Sequence, residues 1–180
     1  MNNLQLTNIA GAYIEHSDVI MNFTAIVHRQ IKGSTCKVYP DNVQYKWFVY
    51  GEERTVIPDA TINCRVHAKK GNSFFDVPRF VMKVLSDSTR KYDRGEKMDI
   101  YRKMEVDEYW IVNCEKREIE IYNLDYDENQ EPKYHLFKTI NRKNKDELEI
   151  VHFHKLIIIK VKLLSVQPRT FHYVKSWAVL

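Results

Sequence analysis

The chain has 180 residues, 44% of them apolar, with 28 Lys and Arg against 24 Asp and Glu. That describes one soluble domain large enough to bury a core without staples, and excludes a disulfide framework, a collagen-like rod and a disordered tail. Nine Lys and Arg against three Asp and Glu lie from Lys138 onward, leaving residues 1–137 with a net charge of −2. A basic C-terminal third suits contact with phosphate, and equally a solvated lysine face.

In chain order, the N-terminal MNNLQLTNIAGAYIEHS lacks the basic start and unbroken apolar run of an export signal, so none is expected. Val19, Ile20, Phe23, Ile26, Val27 and Ile31 recur at steps of three and four, which predicts an amphipathic helix over His16–Ile31, stopped by Gly33. CKVYP and VQYKWFVY, joined by Asp41-Asn42, read as a hairpin or strand pair. ATINCRV is a further strand, and HAKKGNSFFD is a loop marked by Gly71 and Asn72. RFVMKVLS reads as a buried central strand carrying one charge, Lys83.

Ser86-Asp87-Ser88 supplies caps for a helix over Thr89–Lys103, on which Asp93, Lys97 and Tyr101 follow at steps of four and share a face. EYWIVNCE and REIEIYNL form two strands around a turn near Glu115-Lys116; YHLFKTI follows the acidic loop DENQE. HKLIIIKVKLLSV is a last strand or strand pair, interrupted by Lys160 and Lys162 and too short to span a bilayer. The order predicts one α/β (α+β) domain over 1–180 with a mixed central sheet flanked by helices.

Three cysteines, Cys36, Cys64 and Cys114, show no CxxC pair and sit in apolar stretches. They read as reduced core residues, which favours a cytoplasmic setting. Tyr101, Tyr109 and Trp110 read as packing residues rather than base-stacking groups. Ser86 and Ser88 read as caps rather than nucleophiles, and His152 and His154 as one exposed strand face.

Four features lie close together: Pro58-Asp59 before a strand, the charge at position 83, the helix with Asp93 and Lys97, and Glu108-Tyr109-Trp110 entering the next strand. Carboxylates at strand ends with a lysine nearby are the kit for metal-assisted phosphodiester hydrolysis: oxygen ligands hold a hard cation, and lysine offsets charge on phosphorus.

IPDATINC and PRFVMKVLSDSTRKYDRGEKMDIYRKMEVDEYWIVN resemble the signature of the Uma family of restriction endonucleases, a branch of the PD-(D/E)XK nuclease superfamily. That signature has a PD dipeptide before a strand, P-x-x-x-x-E-V-x-S followed by S-T, D-x-x-x-K with a Tyr four residues on, and E-Y-W-x-V. Pro58-Asp59, Pro78, Val84, Ser86, Ser88-Thr89, Asp93, Lys97, Tyr101 and Glu108-Tyr109-Trp110-Ile111-Val112 match it, without gaps from Pro78 to Val112. The likeness covers about 16–140, with His16 heading the first helix, and is absent from 167–180. Fifteen residues precede His16 where members usually carry a longer hairpin with an acidic residue; Glu15 is the acid here.

The resemblance implies a restriction-endonuclease-like core and a Mg²⁺-dependent (or Mn²⁺-dependent) endonuclease cutting DNA by in-line attack of water, as a homodimer. Carried over by position, Asp59 binds metal, position 83 completes the metal site, Lys97 steadies the transition state, and Asp93, Tyr101 and Glu108 support it. The departure is Lys83, where the pattern has glutamate. An ammonium cannot ligate Mg²⁺ and opposes it electrostatically, so metal affinity is expected to fall. Lys83 is then free to pair with Asp59. Glu96, the nearest spare acid, points about 100° away from Lys97 around the helix. Three readings stay open: an impaired endonuclease, an inactive nuclease-fold module that binds DNA or a protein partner, or a toxin-like or regulatory interaction domain unrelated to nucleic acid.

Overall fold

The computed structural model describes residues 10–86, 90–141, 143, 148–149 and 158–159. Its centre is a six-stranded mixed sheet in the order β1-β4-β7-β8-β9-β10, where β1 is Lys37–Pro40, β4 Ala60–Asn63, β7 Phe80–Val84, β8 Glu108–Asn113, β9 Glu118–Tyr126 and β10 Pro132–Ile140. β7 pairs antiparallel with β4 and parallel with β8; the β7–β8 crossover carries two short helices, α2 (Arg90–Arg94) and α3 (Glu96–Lys103). β8, β9 and β10 then form an antiparallel meander.

One face of the sheet is covered by α1 (Ala10–Gln30), whose Val19, Ile20, Phe23 and Val27 pack with Ile31 against Ile62, Phe80, Met82, Val84, Trp110 and Val112. Phe23 stacks on Phe80 with centroids 5.1 Å apart, and Trp110 meets both rings edge-on. The opposite face is covered by α3 and a second, four-stranded sheet in the order β3-β2-β6-β5, made of β2 (Gln44–Val49), β3 (Glu52–Val56), β5 (Lys69–Lys70) and β6 (Ser73–Phe74). Tyr45, Trp47, Phe74, Ile100 and Tyr101 there meet Val81, Tyr109 and Ile111. Residues of β7 thus alternate between two apolar layers, even numbers toward α1 and odd numbers toward α3, as the pleat requires. That alternation makes both β7 and β8 continuous buried runs.

Several expectations change. The first helix begins at Ala10, six residues before His16; its Ile14 and Glu15 are exposed and stand outside the apolar period. CKVYP and VQYKWFVY are not a hairpin: β1 pairs with β4 and β2 with β3 and β6, so Asp41-Asn42, with Asn42 at φ 77°, links two sheets. HAKKGNSFFD contains the tight β5–β6 hairpin, turning at Gly71 with φ 60°. The helix expected over Thr89–Lys103 breaks at Gly95, where a Cβ would lie 3.1 Å from the Lys91 carbonyl oxygen.

Cys36 and Cys64 form a disulfide rather than free thiols. The antiparallel register Lys37↔Asn63 makes them the next opposed pair, with Cα atoms 3.9 Å apart. Cys114 alone is free, and the reduced-thiol argument for a cytoplasmic setting loses two of its three residues. Most of HKLIIIKVKLLSV, with His152 and His154, lies outside the described residues, as do Ser88 and Thr89. Among the described residues no helix is long and apolar enough to cross a membrane.

Candidate active site

Asp59 is the residue before β4, held at the end of the strand by its own N–H, which donates to the Met82 carbonyl at 3.1 Å. The β4–β7 register pairs Ala60 with Met82, so Asp59 and Lys83 are the next neighbours across the ladder and their side chains meet. Lys83 Nζ donates to Asp59 Oδ1 at 2.7 Å and to the Ile57 carbonyl at 3.3 Å. The Val84 N–H donates to Asp59 Oδ2 at 2.6 Å. His16, on α1, brings Nε2 to 3.6 Å from the same oxygen. The two ion-pair side chains are 8% and 10% exposed, which removes most of the water that would otherwise screen them.

Burial pushes the Asp59 carboxyl up, but the imidazole of His16, the Lys83 ammonium and the Val84 N–H together outweigh it. Its pKa falls below the ordinary carboxylate value.

A second ion pair lies in the crossover. Asp93 is fully buried, its Oδ1 accepting from Lys97 Nζ at 2.8 Å across the break at Gly95, while its backbone carbonyl accepts from the Tyr109 hydroxyl at 3.0 Å. Lys97 also sits 4.9 Å from the Tyr92 ring centroid. Tyr101, on α3, has no accessible surface. Its phenol is pushed well above the usual range by burial first, and then by the charges of Asp59 and Asp93, so both carboxylates act on one hydroxyl. Neither the Tyr101 hydroxyl nor Asp93 Oδ2 has a hydrogen-bond partner among the described residues.

Of the residues singled out in the sequence, Asp59 and Lys83 are in direct contact, Asp93 and Lys97 are in direct contact, and Tyr101 borders both pairs. Glu108 does not join them. It is the first residue of β8, opposite Phe80, on the α1 side of the sheet and ~10 Å along the strand from the residue facing Lys83. Its carboxylate accepts from Trp110 Nε1 at 2.6 Å. Glu96 is likewise spent elsewhere, on Arg54 at 3.3 Å. Glu15 is exposed on α1; burial first, and then the Glu15 charge, pushes the Cys114 thiol up to about 11. His16 is the site residue that local pattern assigned no chemical role; its approach to Asp59 depends on how α1 lies against the sheet.

The donor set does not fit a hard divalent cation. Such an ion needs oxygen ligands at about 2.0–2.6 Å. Here one Asp59 oxygen accepts from an ammonium and the other from a backbone N–H. Among the described residues no three His, Cys, Asp or Glu side chains lie together as a metal-ligating group.

A protein from Synechocystis sp., "Uncharacterized protein slr1290", is 26% identical over 124 residues, 68% of this chain. The chain spans 64% of that relative's length. A crystal structure of "a putative nuclease belonging to DUF820" from Anabaena variabilis superposes with a TM-score of 0.52 at 13% identity, over 67% of this chain and 66% of that one. That likeness establishes a shared fold. A family model, Uma2, "Putative restriction endonuclease", matches residues 5–148, and by that match the chain belongs to the Uma2 family.

Proposed function

We propose that this chain binds DNA as a member of a nuclease family whose strand-cleaving centre is silent while lysine stands at position 83. The observation that carries the reading is the 2.7 Å bond from Lys83 Nζ to Asp59 Oδ1 at the end of the central parallel strand pair. Asp59, expected from the family pattern to hold Mg²⁺ or Mn²⁺, has its charge answered from within the chain. Lys97, 15% exposed, is held by Asp93 and is the group we assign to a phosphate oxygen. A homodimer, which would set two such sites against the two strands of a duplex, is part of the same proposal, and sedimentation velocity reads it.

The test is nicking of supercoiled plasmid in Mg²⁺ and in Mn²⁺, with DNA retention measured against salt. The unmodified chain is expected to bind DNA with an affinity that falls as salt rises and to leave the plasmid intact. Lys83→Glu is expected to nick it. Metal-dependent nicking by the unmodified chain that disappears in Asp59→Ala would contradict the proposal, and so would a Lys83→Glu protein that folds but cuts under neither metal.

A further inference from the structure

The ionised side chains around Tyr101 form a closed charge balance. Asp59 and Asp93 contribute two negative charges, and Lys83 and Lys97 two positive ones. Side-chain exposure within the two pairs runs from 0% to 15%, so mobile counter-ions reach these groups poorly. These four side chains therefore balance one another. A carboxylate at position 83 would leave the same four positions at −2, the deficit that one divalent cation fills. The place is also right: an ammonium has three N–H donors, and those of Lys83 directed at Asp59 Oδ1 and Ile57 O account for two. The nitrogen lies 2.7 Å from Asp59 Oδ1, the oxygen it would otherwise leave to a cation.

We propose that Lys83 carries the same net charge as a carboxylate together with its bound divalent ion, so that contact between this site and a DNA phosphate needs no divalent metal. The inference rests on the DNA-binding reading above and adds to it the source of the positive charge. It makes the Lys83 position a selector between two electrostatically matched states: lysine without metal, or carboxylate with metal.

Two measurements test it. In the first, the affinity of the full chain for a short labelled DNA duplex is compared in EDTA and in Mg²⁺ at matched ionic strength. The unmodified chain is expected to bind equally in both, within about twofold, whereas Lys83→Glu loses about tenfold or more in EDTA and recovers it in Mg²⁺. An unmodified chain that needs Mg²⁺ to bind, or a Lys83→Glu chain indifferent to it, overturns the proposal. In the second, thermal unfolding is followed with and without Mn²⁺ and no DNA: Lys83→Glu is expected to gain Tm and the unmodified chain to gain none. No gain in Lys83→Glu overturns the charge exchange whatever DNA does. Failure of both proteins to bind DNA, with the Mn²⁺ response intact, overturns the DNA reading alone. Should Lys83→Glu not fold without metal, Lys83→Gln leaves the four positions at −1 and is expected to fall between the other two in both assays; equality with the unmodified chain in both overturns the proposal.

Discussion

Asp59 and Lys83 face each other because one strand ladder sets them opposite, and burial makes that pair mutually dependent. Removing one partner leaves the other charged and poorly solvated, which costs about 3–5 kcal/mol in a buried pair. Asp59→Asn is expected to lower the urea-unfolding free energy by that order. The effect has a pH signature. The folded carboxyl lies below its ordinary value of 3.8, so its contribution is fully present above that pH and is lost as pH falls through the lower folded value. The stability gap between the unmodified chain and Asp59→Asn should therefore be constant near neutrality and close in acid below about pH 4; a gap that persists there contradicts the assignment. Tyr101 gives the opposite expectation. Its buried hydroxyl has no partner among the described residues, so Tyr101→Phe removes a desolvated group and should leave stability unchanged or raise it by about 1 kcal/mol. A loss above about 1 kcal/mol would show that the hydroxyl is satisfied in solution.

The disulfide shows the same dependence on register at the level of an element. Cys36 and Cys64 join edge strand β1 to β4 across a sequence separation of 28, and closing a loop of that length is worth about 3–4 kcal/mol by chain entropy. Reductant is expected to lower the unfolding midpoint of the unmodified chain and to leave Cys36→Ser, already at the lower value, unmoved. Equal midpoints with and without reductant would contradict this. These residues also mark where sequence stops being legible. The apolar runs of β7, β8 and α1 announce themselves because each buries a face whose period is local. The partnering of β1 with β4, the Cys36–Cys64 bond and the approach of His16 to Asp59 depend on which strands and helices lie side by side, which no local window contains. The break at Gly95 was hidden for a different reason: Asp93 and Lys97 keep their four-residue spacing and their contact across it.

For the molecule as a whole, two apolar layers clamp the central sheet, and the candidate site lies at the end of β7, where α1, β4 and the crossover helices come together. The family pattern pointed to Asp59, Lys83 and Lys97, and the structure pairs the first two with each other and the third with Asp93. The pattern could not show that Glu108 faces the other layer or that Lys83 satisfies Asp59. The central claim is that Lys83 holds the place of an ion. Calorimetric titration of the unmodified chain with Mn²⁺ tests it most directly: the expected result is no saturable binding that differs between the unmodified chain and Asp59→Asn, and stoichiometric Mn²⁺ uptake lost on Asp59→Asn would contradict it.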